Sequence, residues 1–262
     1  NLLKDKFNHD SNILILGGAF ISLSTIFLSF LAGKSLEIVY IKSEFNYFCS
    51  FLVIAGLSSC LASKSLLASV KEISQLIQNQ FIYKTPNKLI IEKVKRIVSR
   101  DVEKLSTNEL IRASTESLTE NSVDGIFAPL FWIFLGTFLI KYSIYLPGPL
   151  SLGFAYKAIS TLDSMIGYKD NYFLKLGFFS AKIEDYATFI PCKIVVFTLP
   201  LISKNFKRYF YIVRKVFEEG SRYESPNAGF SEGVFAYCVD IKLGGESKYN
   251  NDYIFKPILN ES

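Results

Sequence analysis

Histidine is almost absent from the sequence, since His9 is the single one among 262 residues. One histidine in a polar N-terminal segment excludes multi-histidine metal sites and argues against Ser-His-Asp and Cys-His catalysis. The 4 cysteines show no Cys-x-x-Cys spacing, so neither a zinc site nor a disulfide framework is predicted, and all are expected to be reduced. Any chemistry must therefore use carboxylates, lysines, arginines, amides and hydroxyls.

Charge is also scarce, because half of the residues (50%) are apolar and the mean hydropathy is +0.26. This composition excludes disorder and is too apolar for an ordinary soluble domain. The 29 Lys and Arg exceed the 24 Asp and Glu only slightly and form no concentrated basic stripe. The sequence therefore predicts no nucleic-acid partner, and the mild basic excess suits the cytoplasmic face of a membrane.

Long uncharged stretches predict membrane-spanning helices. Residues 13–31 and 45–63 carry no charge, and residues 126–146 contain only Lys141. At 1.5 Å per residue, each stretch reaches roughly the 30 Å of a hydrocarbon core. The sequence predicts an all-α, multi-pass membrane protein, and the alternative is a very apolar soluble helical bundle.

Two further apolar segments are weaker predictions. After Pro147-Gly148-Pro149 turns the chain, residues 150–162 could return as a short or tilted span. Residues 186–203 carry Lys193 between two prolines, and we expect this segment to be re-entrant or interfacial. A full crossing there would move the following basic residues to the outer face, against the positive-inside rule.

The distribution of basic residues predicts the orientation and the organisation of the chain. Residues 70–124 contain nine Lys or Arg, whereas the loop between the first two spans offers only Lys34 and Lys42. The positive-inside rule places the longer segment in the cytoplasm. We therefore expect two spans and a tail in 1–70, a cytoplasmic helical segment in 71–124, and in 125–262 a membrane hairpin, motif-bearing loops and a cytoplasmic C-terminal segment.

Three carboxylates follow one another at helical spacing just before the third span. Glu116, Glu120 and Asp124 are spaced i, i+4 and i+8, which puts them on one face of a helix. Like charges at this spacing repel, and a Mg²⁺ ion carrying substrate phosphates would relieve the repulsion. The alternative is an acidic face that points to water or pairs with Arg112 and nearby lysines.

Other polar motifs lie at the ends of the apolar segments. Asp163 follows the returning segment, and Lys157, Lys169 and Lys182 are placed either to contact phosphates or to anchor the chain at the interface. Residues 225–230 (SPNAGF) are a turn signal, and residues 243–245 (LGG) predict a further turn but no phosphate-binding loop.

These motifs, in this order, resemble the membrane-bound adenosylcobinamide-phosphate synthases of cobalamin biosynthesis. The resemblance is densest in four stretches: 116–132 (ESLTENSVDGIFAPLFW), 156–168 (YKAISTLDSMIGY), 181–191 (AKIEDYATFIP) and 225–230 (SPNAGF). Ser160 stands where the family usually has Asn, and Lys182 where Arg is common, which keeps the charge but loses bidentate geometry. The family usually begins with a further apolar segment and a Gly-Asp-Pro motif, so we expect an N-terminally truncated chain.

The resemblance implies an ATP-dependent amide ligation. The propionate carboxylate of adenosylcobyric acid joins (R)-1-aminopropan-2-ol or its O-phosphate, giving adenosylcobinamide or its phosphate. ATP is the implied co-substrate and Mg²⁺ the implied ion, and no cofactor is expected to be tightly bound. The resemblance does not decide whether the amine substrate is free or phosphorylated. The implied partners are the corrinoid, the aminopropanol and the lipid bilayer of the plasma membrane. The polar motifs are expected to face the cytoplasm. Association with a second copy of the chain or with other corrinoid-pathway enzymes is left open.

The resemblance and the residue chemistry together give a set of expected site residues. The expected catalytic residues are Glu116, Glu120, Asn121, Asp124 and Asp163, with Mg²⁺ at Glu120 and Asp124. The expected substrate-binding residues are Arg100, Lys157, Lys182, Asp185, Asn227 and Gly229.

Two other functional classes fit parts of this pattern. A Mg²⁺-dependent membrane prenyltransferase-like enzyme would need a second acidic repeat, for which Glu184-Asp185 is a poor candidate. A transporter would line its path with Glu120, Asp124 and Asp163, but the sequence shows no internal repeat. A non-catalytic membrane scaffold is the third alternative.

Overall fold

The computed structural model describes residues 11–44, 46–83, 87–167, 173–203, 206–249 and 252–261. These residues form helices and, near the C-terminus, one antiparallel hairpin. The prediction of a predominantly helical membrane protein is confirmed, and the hairpin is an addition to it. Lys169 lies outside the described residues.

The helices are α1 (Ser11–Lys42), α2 (Tyr47–Cys60), α3 (Ser63–Tyr83), α4 (Asn87–Val94), α5 (Thr107–Ser122), α6 (Ala128–Leu139), α7 (Pro149–Ile166), α8 (Phe173–Leu176), α9 (Phe178–Ile202), α10 (Tyr209–Gly220) and α11 (Ala228–Cys238). A π-helical turn (Val123–Phe127) joins α5 to α6, and a 3₁₀ turn (Phe206–Arg208) precedes α10. Strands β1 (Leu243–Tyr249) and β2 (Asp252–Leu259) form the hairpin.

Three helical segments of the described chain are long and apolar enough to cross a membrane: Asn12–Lys42, Thr107–Leu139 and Phe178–Ile202. The first contains the predicted span 13–31. The second predicted span is split, because α2 and α3 pass the same test only as a pair bent by 42°. The helix that contains the third predicted span, 126–146, ends at Leu139. Helix α7 is not apolar enough over its length to count as a candidate span.

The structure shows residues 186–203 without the break of a re-entrant loop, and their expected interfacial placement stays a prediction. The segment belongs to one unbroken helix of 25 residues, with Pro191 and Pro200 inside it. Pro191 has no N–H for the carbonyl of Ala187, and Trp132 Nε1 donates to that oxygen instead, at 3.1 Å. A substitute donor of this kind lets a proline lie inside a membrane helix without breaking it.

The chain forms two compact units, and the first consists of Asn1–Leu61 and Asp124–Ile190. Within it, α7 packs against α1, α2 and α6. Glu37 on α1 is buried, and its Oε1 accepts hydrogen bonds from the backbone N–H groups of Leu150, at 2.7 Å, and Ser151, at 2.9 Å. A carboxylate from α1 thus satisfies the open donors at the start of α7 and favours its dipole.

The second unit consists of Ala62–Val123 and Pro191–Ser262. Its α3, α4 and α5 share an apolar core centred on Ile90, Val94 and Leu110. A capping box starts α5: Ser106 accepts from the Glu109 amide, and Glu109 accepts from the Ser106 amide at 2.8 Å. Helices α10 and α11 pack together and against the hairpin. These units cut across the division into 1–70, 71–124 and 125–262 expected from the sequence.

The segment 243–245 is part of β1 and not the turn that the sequence predicted. Gly244 and Gly245 have φ angles of 86° and 87° and lie at a break in the register opposite β2. This bulge needs left-handed backbone, which glycine adopts at no steric cost.

Candidate functional site

A hydrogen-bonded group of polar side chains lies in the first unit. The hydroxyl of Tyr156 on α7 is 2.9 Å from Oγ1 of Thr188 on α9, and both residues are buried. The Thr188 hydroxyl donates to Glu184. Because this uses the threonine proton, Tyr156 must be the donor to Thr188, and the Tyr156 oxygen keeps its capacity to accept.

Carboxylates surround this tyrosine. Asp124, Asp163 and Glu184 all lie within electrostatic range of its hydroxyl. Two of the predicted site residues, Asp124 and Asp163, are thus among the carboxylates whose charge acts on this tyrosine. We call Asp124, Tyr156, Asp163, Glu184 and Thr188 the acidic centre. It offers hydrogen-bond acceptors and negative charge, which are the properties that a bound cation requires.

The packing beneath the acidic centre fixes its helices relative to one another. Tyr156 packs with Ala128 and Ala187, and Trp132 lies against the same cluster. The Trp132 hydrogen bond ties α6 to α9 at Ala187, which directly precedes Thr188 and lies about one turn after Glu184. At the other end of α7, the close approach of Asp163 to Gly167 leaves no room for a Cβ at residue 167.

Lys157 and Lys182, the two lysines of the first unit that are expected to bind substrate, differ in their exposure to solvent. Lys157 is half-buried and within electrostatic range of Cys60. Lys182 is exposed and lies 3.7 Å from Asp185 in an ion pair on α9. Their contacts with substrate stay a prediction.

A buried ion pair dominates the second unit. Arg100 Nη2 lies 2.6 Å from Glu116 Oε2, and Arg100 also donates to Ser247 on β1. The other oxygen of Glu116 accepts from the backbone N–H of Gly244 at 2.9 Å. Both oxygens of this carboxylate are engaged by the chain itself, so Glu116 adopts the ion-paired alternative weighed for the acidic motif. Its catalytic role stays a prediction.

A second charged pair lies next to this one. Lys256 Nζ on β2 lies 2.9 Å from Glu232 Oε1 and 4.0 Å from Glu116 Oε2. Burial raises the pKa of Glu232 to about 7, although Lys256 acts in the opposite direction. Burial also acts to lower the pKa of Lys256, but the attraction of Glu232 and Glu116 outweighs it, so the pKa of Lys256 is raised. Two carboxylates therefore hold one largely buried ammonium group.

The SPNAGF motif turns the chain into α11. Asn227 is its N-cap residue and is buried, and its backbone N–H donates to Ser225 Oγ at 3.3 Å. Lys193 on α9 donates to the carbonyl oxygen of Pro226 at 3.2 Å. Gly229 faces the backbone of Gly220 so closely that a Cβ has no room. This turn is therefore held from α9 and α10, and its contact with substrate stays a prediction.

The remaining predicted residues, Glu120 and Asn121, are exposed near the end of α5. Asn121 donates to Ser117 at 3.2 Å. Glu120 acts electrostatically on Glu232 and Lys256. Glu120 and Asp124 belong to different units, so the Mg²⁺ pair expected from the sequence stays a prediction.

No metal-binding group of three or more His, Cys, Asp and Glu side chains occurs in the part of the chain that the structure describes. Mg²⁺ carried by a nucleotide needs only one or two protein carboxylates, because phosphates and waters complete its shell. Asp124 and Asp163 have the side-chain chemistry of such donors, and Mg²⁺ binding there stays a prediction.

Sequence reasoning missed several members of these clusters. Tyr156 and Asp163 are seven residues apart, two helical turns, and this spacing was available as a signal that they share a face. Glu232 was also detectable, as an acidic residue in the apolar α11. Lys256 gave no local signal, because its carboxylate partners are distant in sequence.

Comparison with known proteins finds the same family over the whole length of the chain. A family model described as CobD/Cbib protein matches residues 1–262. A cobalamin biosynthesis protein CobD from Synechocystis sp. is 37% identical over 255 residues, which are 97% of this chain and 70% of that protein. A protein of the same name from Clostridium tetani is 30% identical over 259 residues, covering 97% of this chain and 74% of the relative. No solved structure matches. The chain belongs to the CobD/Cbib family.

Proposed function

We propose that this membrane protein acts in cobalamin biosynthesis as an ATP-dependent amide ligase. It joins the propionate carboxylate of adenosylcobyric acid to (R)-1-aminopropan-2-ol or its O-phosphate. Family membership and the names of the relatives support the pathway. The observation that carries the reaction class is the acidic centre, where carboxylates from three chain segments act electrostatically on one hydrogen-bonded tyrosine.

The chemistry explains why such a centre suits the reaction. A carboxylate does not react with an amine until it is activated, and transfer of the ATP γ-phosphoryl group to it gives an acyl phosphate and ADP. The amine nitrogen then attacks the acyl carbon, phosphate leaves, and the nitrogen loses a proton to a base. Both the Mg²⁺ that accompanies ATP and the ammonium form of the amine are cations, so both are attracted to a cluster of carboxylates.

Within this proposal, the residues have separate tasks. Asp124 and Asp163 bind Mg²⁺-ATP or accept the proton of the amine. Glu184 orients Thr188, which in turn fixes the Tyr156 hydroxyl, so that its oxygen faces the substrate as an acceptor. Lys157 and Lys182 contact phosphate as point charges.

The second unit would contribute binding rather than bond formation. Asn227 has an amide side chain at the start of α11, and amide groups suit the amide rim of a corrinoid. The pair of Arg100 and Glu116 would hold β1 in place beside α5. We further propose that the polar motifs face the cytoplasm of the plasma membrane, because the segment 70–124 is rich in Lys and Arg.

The test is reconstitution of the full chain in nanodiscs with adenosylcobyric acid, the amine or its phosphate, and Mg²⁺-ATP. Product is detected by mass spectrometry, and ADP release is measured in parallel. We expect product only when all three substrates are present, with one ADP formed per amide. Product without ATP, or no product with either amine, would contradict the proposal.

A matched pair of variants connects the activity to the acidic centre. Asp163→Asn should lower turnover by at least about tenfold, since it removes one charge from the centre. Glu103→Gln removes an exposed carboxylate, 71% accessible in its side chain, and should leave turnover unchanged. Equal activity of the two variants would remove the acidic centre from the reaction.

A further inference from the structure

A segment with exposed aromatic side chains follows the end of the candidate span α9. The last residue of α9, Ile202, is 79% exposed, and the 3₁₀ turn begins at Phe206. Phe206 and Phe210 are 71% and 76% exposed, and Tyr211 is 47% exposed. We call residues 206–211 the anchor segment. Exposed Phe side chains close to basic residues are typical of segments that lie in the membrane interface.

The helix that continues from the anchor segment has two different faces. Ile212, Val216 and Gly220 are buried at a spacing of four residues, and α10 packs against α11. Phe206, Phe210 and Arg214 have the same spacing on another side of the segment. Along this outer stripe, exposed aromatic rings come first and a charged residue, with 79% side-chain exposure, comes last. The stripe therefore becomes more polar with distance from the span.

The charges of the segment are of one sign close to the span. Residues 206–217 contain Lys207, Arg208, Arg214 and Lys215, and the first acidic residue after them is Glu218. Arg208 lies 3.4 Å from Asp240, but both side chains are largely exposed, and such pairs contribute little. Basic residues beside exposed aromatic rings match anionic phosphate above an apolar layer.

We propose that the anchor segment lies in the headgroup layer of the membrane, next to the end of α9. Phe206 and Phe210 insert at the boundary between headgroups and acyl chains, Lys207 and Arg208 contact lipid phosphates, and Arg214 lies in water. The partner of this surface is thus an anionic lipid membrane. Continuity with a span and the order of aromatic and basic residues support this partner over a second protein.

The proposal predicts a depth gradient that tryptophan fluorescence can measure. Trp132 is the only tryptophan of the sequence, so Trp132→Phe gives a background without tryptophan. In this background, Phe210→Trp and its matched control Arg214→Trp are reconstituted into phosphatidylcholine and phosphatidylglycerol vesicles, with a lipid brominated near the headgroup. We expect quenching at position 210 to exceed quenching at position 214 by about twofold or more. Equal quenching at the two positions overturns the proposal.

Two further measurements control for a folding defect caused by Trp132→Phe and test whether lipid phosphate holds the segment at the membrane. Phe210→Trp is repeated in the chain that keeps Trp132, and the difference between its spectrum and that of the parent must show the same quenching. Omitting phosphatidylglycerol should reduce quenching at position 210 in the parent background but not after Lys207→Gln and Arg208→Gln. An equal reduction in both proteins overturns the contact between these residues and lipid phosphate.

Discussion

Arg100 Nη2 and Glu116 Oε2 lie 2.6 Å apart, with the two side chains only 4% and 3% exposed. Charges at this depth are tolerated because each compensates the other, and removal of one leaves the other uncompensated. The pair also connects two sequence regions, since Arg100 donates to Ser247 and Glu116 accepts from Gly244. It holds the hairpin against α5 within the second unit.

Replacement of one partner should therefore destabilise the second unit. We expect Glu116→Gln to lower the free energy of unfolding by about 3–5 kcal/mol, the usual cost of breaking a buried pair. Glu103→Gln, in the exposed pair with Lys95, should leave the free energy of unfolding nearly unchanged. Denaturant unfolding in detergent measures both. Full stability of Glu116→Gln with lost turnover would instead assign Glu116 to catalysis.

Asp124 should affect turnover rather than folding. Its carboxylate acts on the Tyr156 hydroxyl together with Asp163 and Glu184. We expect Asp124→Asn to reduce kcat by at least about tenfold while the protein level in membranes stays the same. Steady-state kinetics and immunoblotting of the same membranes give the two quantities. A parallel fall in both would indicate a folding role.

The stability of the second unit should depend on pH through Glu232. Its pKa is raised by burial to about 7 from the ordinary value of 4.5, so the folded state keeps the proton over a range in which the unfolded state has lost it. The charged groups that face it are Lys256, Glu116 and Glu120. The contribution of this group is fully present below the unfolded pKa and is lost as the pH rises through the folded pKa.

This pH dependence is measured by unfolding in detergent between pH 4.5 and 7, which are the pKa values of Glu232 in the unfolded and the folded state. We expect the free energy of unfolding to decrease across this range in the parent and to change less in Glu232→Gln. Glu261→Gln serves as the control, because its side chain is 67% exposed in a surface pair with Lys242. An unchanged slope in Glu232→Gln would exclude this residue as the source.

The orientation of the chain can be tested by cysteine labelling in intact cells. Lys88 and Lys42 are both exposed in the structure, and the positive-inside rule places them on opposite sides. An impermeant maleimide should label Lys42→Cys directly and Lys88→Cys only after permeabilisation, above the signal of the parent. Direct labelling at position 88 would reverse the orientation.

Asn227 should contribute to binding rather than to the fold of its turn. The turn is held by Lys193 on α9 and by Ser225, and Asn227 itself forms no side-chain cap of α11. We expect Asn227→Ala to raise KM for the corrinoid or for ATP by about tenfold, equivalent to one lost hydrogen bond in a buried site. This variant should keep the unfolding temperature of the parent, whereas Lys193→Met should lower the unfolding temperature. Unchanged KM for both substrates would make the motif a connector only.

The membrane class and the helical content follow from the sequence, because hydropathy and helical spacing are local properties. The uncharged stretch at 13–31 is long enough to span a bilayer whatever it packs against. Asp124 and Asp163 were recognised for a similar reason, since a carboxylate next to an apolar run is costly and stands out.

Contacts between distant segments were decided by the tertiary structure. The sequence indicates that Glu116 needs a cation, but only packing shows that Arg100 lies nearest, at 2.6 Å, with Arg112 at 3.9 Å. The positive-inside rule suggested that residues 186–203 do not complete a crossing. Only the structure shows the Trp132 donor, 55 positions from Ala187, that supports a continuous helix there. Local patterns thus determined which groups need a partner, and the fold decided the partners, because a hydrogen bond or ion pair depends on distances that chain spacing does not fix.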